Sequence, residues 1–341
     1  PFKLARKARR FKASAWSRDP RQQAFLAEIG ALEALDLGSL AWPELLEVPG
    51  RALATIDYCR DLRIDYLPGV ALALVRTVVA VRLLGRAELL ADLLGGVRTR
   101  TDDADRALAG LADQVRSDPE LRALVLERDA AEVLAAVTAD EDLAGFRAAL
   151  AGFLREFGRR ETASPLLVSQ PTLVESPEVV IGMVRSLAQR EGRPDEPSSR
   201  SAAALERLLD HPWLRARGRR QRMRRWVQAA REGVAFREDT HFYFTAALPT
   251  LRRAVLEVGR RLQGAGLLAD ASDVFHLRWE EVAAIGDPRR VPTEQAAALQ
   301  TSVRLRSAKR AELAGVPLID PARVFPSKDA GQALVTGTPA G

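Results

Sequence analysis

The feature that most constrains this chain is a run of apolar positions between residues 219 and 264. Met223, Val227, Ala230 and Val234 lead into Phe244, Leu248, Leu251, Val255, Val258 and Leu262. The steps alternate between four and three residues, which is the repeat of one helix face. Arg237 and His241 fill the gap between Val234 and Phe244 in the same rhythm. The spacing therefore predicts two ionisable side chains aimed where core residues belong. Burying a charge is costly unless it is paired or used, so Arg237 and His241 are candidate site residues.

Two features compete with a single straight helix. An Asp239 or Thr240 cap would restart the helix and leave Arg237 on a loop. Pro249 removes a backbone donor and predicts a kink or break near it. A structural ion pair would also produce the same pattern of residues. The sequence predicts a long kinked helix around 219–264 inside an all-α fold of many helices with a central cavity.

Composition supports helices. Ala and Leu dominate, and aromatic residues make up only 6%. Only five of the 51 basic residues are Lys, and the net charge of +6 is modest for 341 residues, so charge alone does not argue for nucleic acid. Cys59 is the one cysteine, which rules out an intrachain disulfide and suits a reducing cytoplasm. His211, His241 and His276 have no HxxxH spacing, so no metal site is expected. The basic start, Phe2 to Lys7, lacks an apolar segment and does not read as a signal peptide. The apolar run Val70–Leu84 is interrupted by Arg76 and Arg82 and reads as a buried helix, so no membrane partner is expected.

Taken in order, residues 3–18 read as the end of a basic helix, and Asp19-Pro20 as the start of the next. Leu40 to Pro43 reads as a turn, with helices over 50–63 and 68–94 ended by Gly95-Gly96. Val97 to Asp105 reads as a polar loop. Asp102-Asp103 is either an acid pair or, more plainly, carboxylates at a helix N-terminus. Helices follow over 104–116, 118–128, 129–138 and 140–157. Phe146, Leu150, Phe153 and Phe157 form a stripe that suits either a core or an apolar pocket. A long irregular segment to 175 holds Pro165 and Pro171. Helices over 177–191 and 199–209 flank a polar linker at 191–199, the best candidate for a mobile loop. The arginines between 215 and 225 read as a solvated helix face, or as a guide for a phosphorylated partner domain. A last long helix is predicted over 293–313. Residues 1–316 thus read as one helical domain and 317–341 as a linker.

Several motifs, in order and spacing, resemble the helical segment of PEP-utilising enzymes such as rifampicin phosphotransferase and its relatives. An R-E-x-x-K/R box is present as Arg237-Glu238-Asp239-Thr240-His241. Leu251-Arg252, Glu257 to Leu262 and Gly266 to Leu268 are similar to a second run, and Asp273 to Leu277 with Glu280-Glu281 to a third. Upstream, Phe153 to Arg160 is similar to "FL..yG.R", followed by Pro171 and Glu175-Ser176-Pro177. Thr336 to Gly341 looks like the first residues of a swivelling phosphohistidine domain.

The resemblance implies an acceptor-binding domain lying between an ATP-grasp domain and a swivelling domain. The first moves a phosphoryl group from ATP to a histidine on the second, which carries it to a small-molecule hydroxyl. ATP and Mg are expected on the ATP-grasp domain, and no cofactor in this chain, which reads as a fragment incomplete for catalysis. Arg237 would hold the phosphoryl oxygens, and Glu238 would orient it or ligate the acceptor. Phe244 and Arg252 would contact substrate. His241 stands where the antibiotic-modifying members carry Lys; a histidine is cationic only near or below about pH 6.5, but can serve as base. The rival readings are a non-catalytic module for a large apolar ligand and a basic nucleic-acid scaffold, the latter without a supporting motif.

Overall fold

The structure, a computed structural model, describes residues 6–8, 10–160, 162, 168–190, 197–314 and 316. The chain is 79% helical with no strand among the described residues, so the fold is all-α. It divides into two compact units, residues 1–258 and 259–341. The expected linker at 317–341 and most of the one at 191–199 lie outside the described residues.

The first unit is built on two long helices. Helix α1 (Pro20–Glu33) leads to α2 (Trp42–Leu83), a single rod of 42 residues. The expected break near 64–67 is absent, although Pro49 and Pro68 both lie inside α2. An interior proline costs roughly 3 kcal/mol. Burial of Leu62, Tyr66, Val70, Ala73 and Val81 along the inner face offsets that cost. The helix ends instead at Gly85, whose φ of 66° suits a residue without a Cβ. There the N–H of Gly85 donates to Arg82 O and that of Arg86 to Val81 O, closing the last turn. A short α3 (Leu90–Leu94) then precedes Gly95.

Segment 3–18 departs from expectation in part, since residues 6–8 and 10 are helical but the helix does not continue through 11–18. Its described part holds a 3-10 turn, Ala13–Arg18, that buries Trp16 edge-on against Tyr66 and Phe236. Asp19 caps α1 through the Arg21 N–H and accepts the Tyr66 hydroxyl at 2.7 Å. Burial by itself would raise this carboxyl, but the Arg21 guanidinium, the Tyr66 hydroxyl and the Arg21 N–H outweigh it and hold it at about 2.

A second layer holds α4 (Arg100–Ser117), α5 (Pro119–Glu127), α6 (Ala130–Ala139), α7 (Ala144–Phe157) and α8 (Pro177–Gln189). The start of α4 corrects the polar loop expected over 97–105. Thr99 Oγ1 accepts the Asp102 N–H, and the Asp102 carboxylate accepts the Thr99 N–H at 2.8 Å, a reciprocal cap. Asp103 pairs with Arg98 and Arg106. The carboxylates are thus first-turn residues, as their plainer reading had it. Phe146, Leu150, Phe153 and Phe157 are all buried in one core with Val115, Val125 and Ile181.

Helices α9 (Pro197–Leu209), α10 (Arg217–Phe244) and α11 (Leu248–Gly264) follow. Contacts of Tyr66 with Phe236, Val70 with Gly233 and Thr77 with Trp226 run in opposite order along α2 and α10, so the two are antiparallel. The predicted kinked rod is two helices parted at 245–247. Pro249 sits in the first turn of α11, where no N–H is needed. An 18-residue window of α2 has mean hydropathy 1.7, long and apolar enough to cross a membrane by composition, although the shorter run Val70–Leu84 suggested otherwise. Its inner face is occupied by α10, but only 28% of that window is buried, and Leu72, Val75 and Val79 are exposed on its outer face.

The second unit includes a 3-10 turn at Ala271–His276, α12 (Trp279–Ala283) and α13 (Thr293–Leu313). A Cβ on Gly259 would lie 2.0 Å from Ala271 O, so only glycine permits this approach. Arg306 binds Glu281 at 2.5 Å and His276 O at 2.9 Å. That guanidinium holds the Glu281 carboxyl at about 2. The Asp273–Leu277 and Glu280-Glu281 motif thus fixes a turn against α13.

Candidate functional site

The last turns of α10 place the box residues, and they place them differently from the apolar count. The buried positions run Met223, Val227, Ala230, Gly233, Phe236 and Thr240. After Ala230 the inner face therefore shifts by one residue, about 100° of rotation. Arg237, with 70% of its side chain exposed, and His241 turn to solvent. The expectation that both project inward is overturned. The cause is α2: a Cβ on Gly233 would sit 3.1 Å from Val70 Cγ1, so the helices nearly touch there. With Gly233 at the contact, Phe236 enters the cluster of Trp16 and Tyr66. Burying that ring and leaving the guanidinium in water is the favourable arrangement.

Arg237 donates through Nε and Nη2 to Glu238 Oε1, at 2.9 and 2.7 Å. The inward residues of the box are the other two. Thr240 is fully buried, and its hydroxyl donates to Phe236 O at 2.7 Å. Asp239 accepts the backbone N–H of Arg100 at 2.8 Å. It satisfies a first-turn donor of α4, so the cap residue serves a neighbouring helix rather than its own. Burial pushes the Asp239 carboxyl above its ordinary value, and the Asp103 and Asp102 charges add to this against the Arg100 N–H.

Beside the box lies a cleft of about 240 Å³. Arg100, Glu156, Arg159 and Arg160 form its polar lining, and Phe242 and Tyr243 part of its apolar lining. Arg100 lies 5.5 Å from the Phe242 ring and 5.8 Å from the Phe157 ring. It also binds Glu156 at 3.1 Å, yet its Nε is buried without a hydrogen-bond partner among the described residues. Arg159 pairs with Glu33 at 2.6 Å. The cleft therefore offers cations beside rings, a setting for an aromatic or phosphorylated group. Arg237, Glu238 and His241 do not line it, and neither does Phe244, which is half-buried.

Arg252 is engaged elsewhere. It binds Glu175 at 2.9 Å and Val168 O at 3.0 Å, tying the segment after α7 to α11. Burial raises the Glu175 carboxyl, but the Thr172 N–H and hydroxyl and the Arg252 guanidinium more than reverse this, leaving it below its usual value. Arg252, expected to contact substrate, is held in a pair with Glu175. Arg100 was hidden from the sequence because its stretch reads as loop. Phe242 and Tyr243 were masked by the position of Phe244 in the apolar count.

The cleft joins Glu156, Arg159 and Arg160, within the 153–160 motif, to residues 242–246, which directly follow the 237–241 box about eighty residues later. A model of the family described as "Rifampicin phosphotransferase fourth domain" matches residues 66–238, just over half of the chain. The chain belongs to that family. The rifampicin phosphotransferase fourth-domain match begins at Tyr66, in the aromatic cluster, and ends at Glu238, within the box. It spans Arg100, Glu156, Arg159 and Arg160 of the cleft. No curated protein matches the chain.

Proposed function

We propose that this chain is the acceptor-binding domain of an ATP-dependent phosphotransferase of the rifampicin phosphotransferase or PEP synthase type, working in the cytoplasm. A small-molecule hydroxyl compound occupies the cleft. An ATP-grasp domain, holding ATP and Mg, phosphorylates a histidine on a swivelling domain, which then docks on the solvent face of α10. The observation that carries this reading is that the 153–160 motif shares one cleft with residues 242–246, which directly follow the 237–241 box, while Arg237 and His241 are exposed. Such exposure suits a phosphoryl group that arrives on a separate domain.

In this arrangement Glu238 fixes the Arg237 guanidinium, which receives the phosphoryl oxygens. His241, one turn further along α10, donates to the phosphoryl group or takes the proton of the acceptor hydroxyl. Arg100 and Arg160 hold the acceptor, and Phe242 and Tyr243 cover its apolar part. The chain is incomplete for turnover without its partner domains.

The test joins the chain to ATP-grasp and swivelling domains and measures ATP consumption over a panel of hydroxyl acceptors. Arg237→Ala is expected to lower kcat by about 10²-fold, the usual loss of one transition-state donor. Intact turnover would remove Arg237 from the mechanism. His241→Lys separates the alternatives at that position: retained turnover means a cation suffices, and loss means that a base is needed.

A further inference from the structure

A larger groove lies at the other end of α10, about 680 Å³ in volume, where the last turn of α2 meets residues 211–226. Leu83, Leu84, Met223 and Trp226 make its walls apolar. Two large side chains bordering it stand in water: Leu83 is 82% exposed and Trp213 69%. Side chains of this kind, gathered around one concavity, mark a binding surface rather than a random exposed residue.

The charge is one-sided. Arg219 and Arg222 line the groove, and no carboxylate does so among the described residues. Arg219 lies 5.3 Å from the Trp213 ring and donates to Trp213 O, which fixes it at the rim. His211 Nδ1 accepts the Trp213 N–H, leaving Nε2 as a donor. Arg222 is exposed and has no ion-pair partner among the described residues. Its neighbours Arg220 and Arg224, by contrast, are both held by Glu206. Behind the groove Arg76 lies 4.8 Å from the Trp226 ring, and its buried Nε has no hydrogen-bond partner among the described residues.

We propose that this groove binds a largely apolar organic anion of drug size, with its ring system on Leu83, Trp213 and Trp226 and its acidic group on Arg222. The volume lies within the roughly 300–1,000 Å³ usual for small-molecule sites. Arg222 precedes Arg237 by fifteen residues of one helix, roughly 22 Å at 1.5 Å per residue. The groove is therefore separate from the proposed phosphotransfer site, and either can fail without the other.

The experiment titrates the 341-residue chain with 1-anilinonaphthalene-8-sulfonate and with its uncharged relative N-phenyl-1-naphthylamine, followed by fluorescence. The sulfonate is expected to saturate at one per chain and to bind roughly tenfold more tightly than the amine. Arg222→Gln should abolish that preference while leaving the amine unchanged. Leu83→Asp, at an exposed position that leaves folding intact by circular dichroism, should weaken both probes. Equal affinities of the two probes, indifference to Arg222→Gln or unsaturable binding would each overturn the proposal. So would loss of binding on Val75→Asp, which lies on the exposed outer face of α2 rather than in the groove.

Discussion

The two ends of α10 share one helix and differ in what faces them. At the N-terminal end the apolar count from the sequence matches the buried positions Met223, Val227 and Ala230. At the C-terminal end it misses by one residue, and that residue reverses the fate of Arg237 and Phe236. Both ends pack on α2: the first through Val81 with Met223 and Val227 and through the Thr77 hydroxyl on Trp226 O, the second with Gly233 against Val70. A periodic pattern thus holds where side chains fill the contact, and gives way where a glycine brings a neighbouring helix close and selects the face.

The largest test of this contrast compares neighbours. Phe236→Ala empties a site shared by Trp16 and Tyr66 and should cost about 3–5 kcal/mol in urea unfolding. Arg237→Ala, next along the chain, should change stability by less than about 0.5 kcal/mol. Similar losses for the two would mean that the helix is rotated as the apolar count first implied. Gly233→Leu should cost about 1–3 kcal/mol by forcing α10 away from Val70, with the aromatic cluster's near-ultraviolet signal weakened. An unchanged denaturation midpoint would show that the two helices do not touch there.

Two acids sharpen the comparison through pH. Asp19, held at about 2 in the folded chain, contributes stability that is complete above its ordinary value of 3.8 and is lost as pH falls toward 2. Asp239 has the opposite sign. Its raised value makes the ionised form a burden above that range, relieved on acidification. Asp19→Asn should therefore lower the melting midpoint at pH 7 and flatten its fall in acid. Asp239→Asn, which keeps an acceptor for the Arg100 N–H, should raise the midpoint slightly at pH 7, and the gain should vanish in acid. A loss at pH 7 for Asp239→Asn would mean that its charge is needed.

Much of the helical order was legible. Asp19-Pro20 marked a helix start because an acceptor side chain followed by proline satisfies the orphan donors locally, and the Asp118-Pro119 start of α5 follows the same rule. The 146–157 stripe was visible as a helix face, though only packing showed it to be core. The break expected between 63 and 68 is absent because the cost of Pro68 inside α2 is local, while the burial that outweighs it comes from α10, far away in sequence. Arg100 was missed because Thr99 and Asp102 resemble loop residues until their reciprocal hydrogen bonds are formed.

By itself the sequence determined the fold class, most helix boundaries and the family, since caps, apolar spacing and motif order are carried by residues near one another in the chain. Only the tertiary structure decided which face of α10 is buried, that Asp239 caps a different helix, and that Arg159-Arg160 shares a cleft with Phe242-Tyr243. Each of these depends on how closely two distant segments approach, and that distance is set by side-chain volumes on both partners at once.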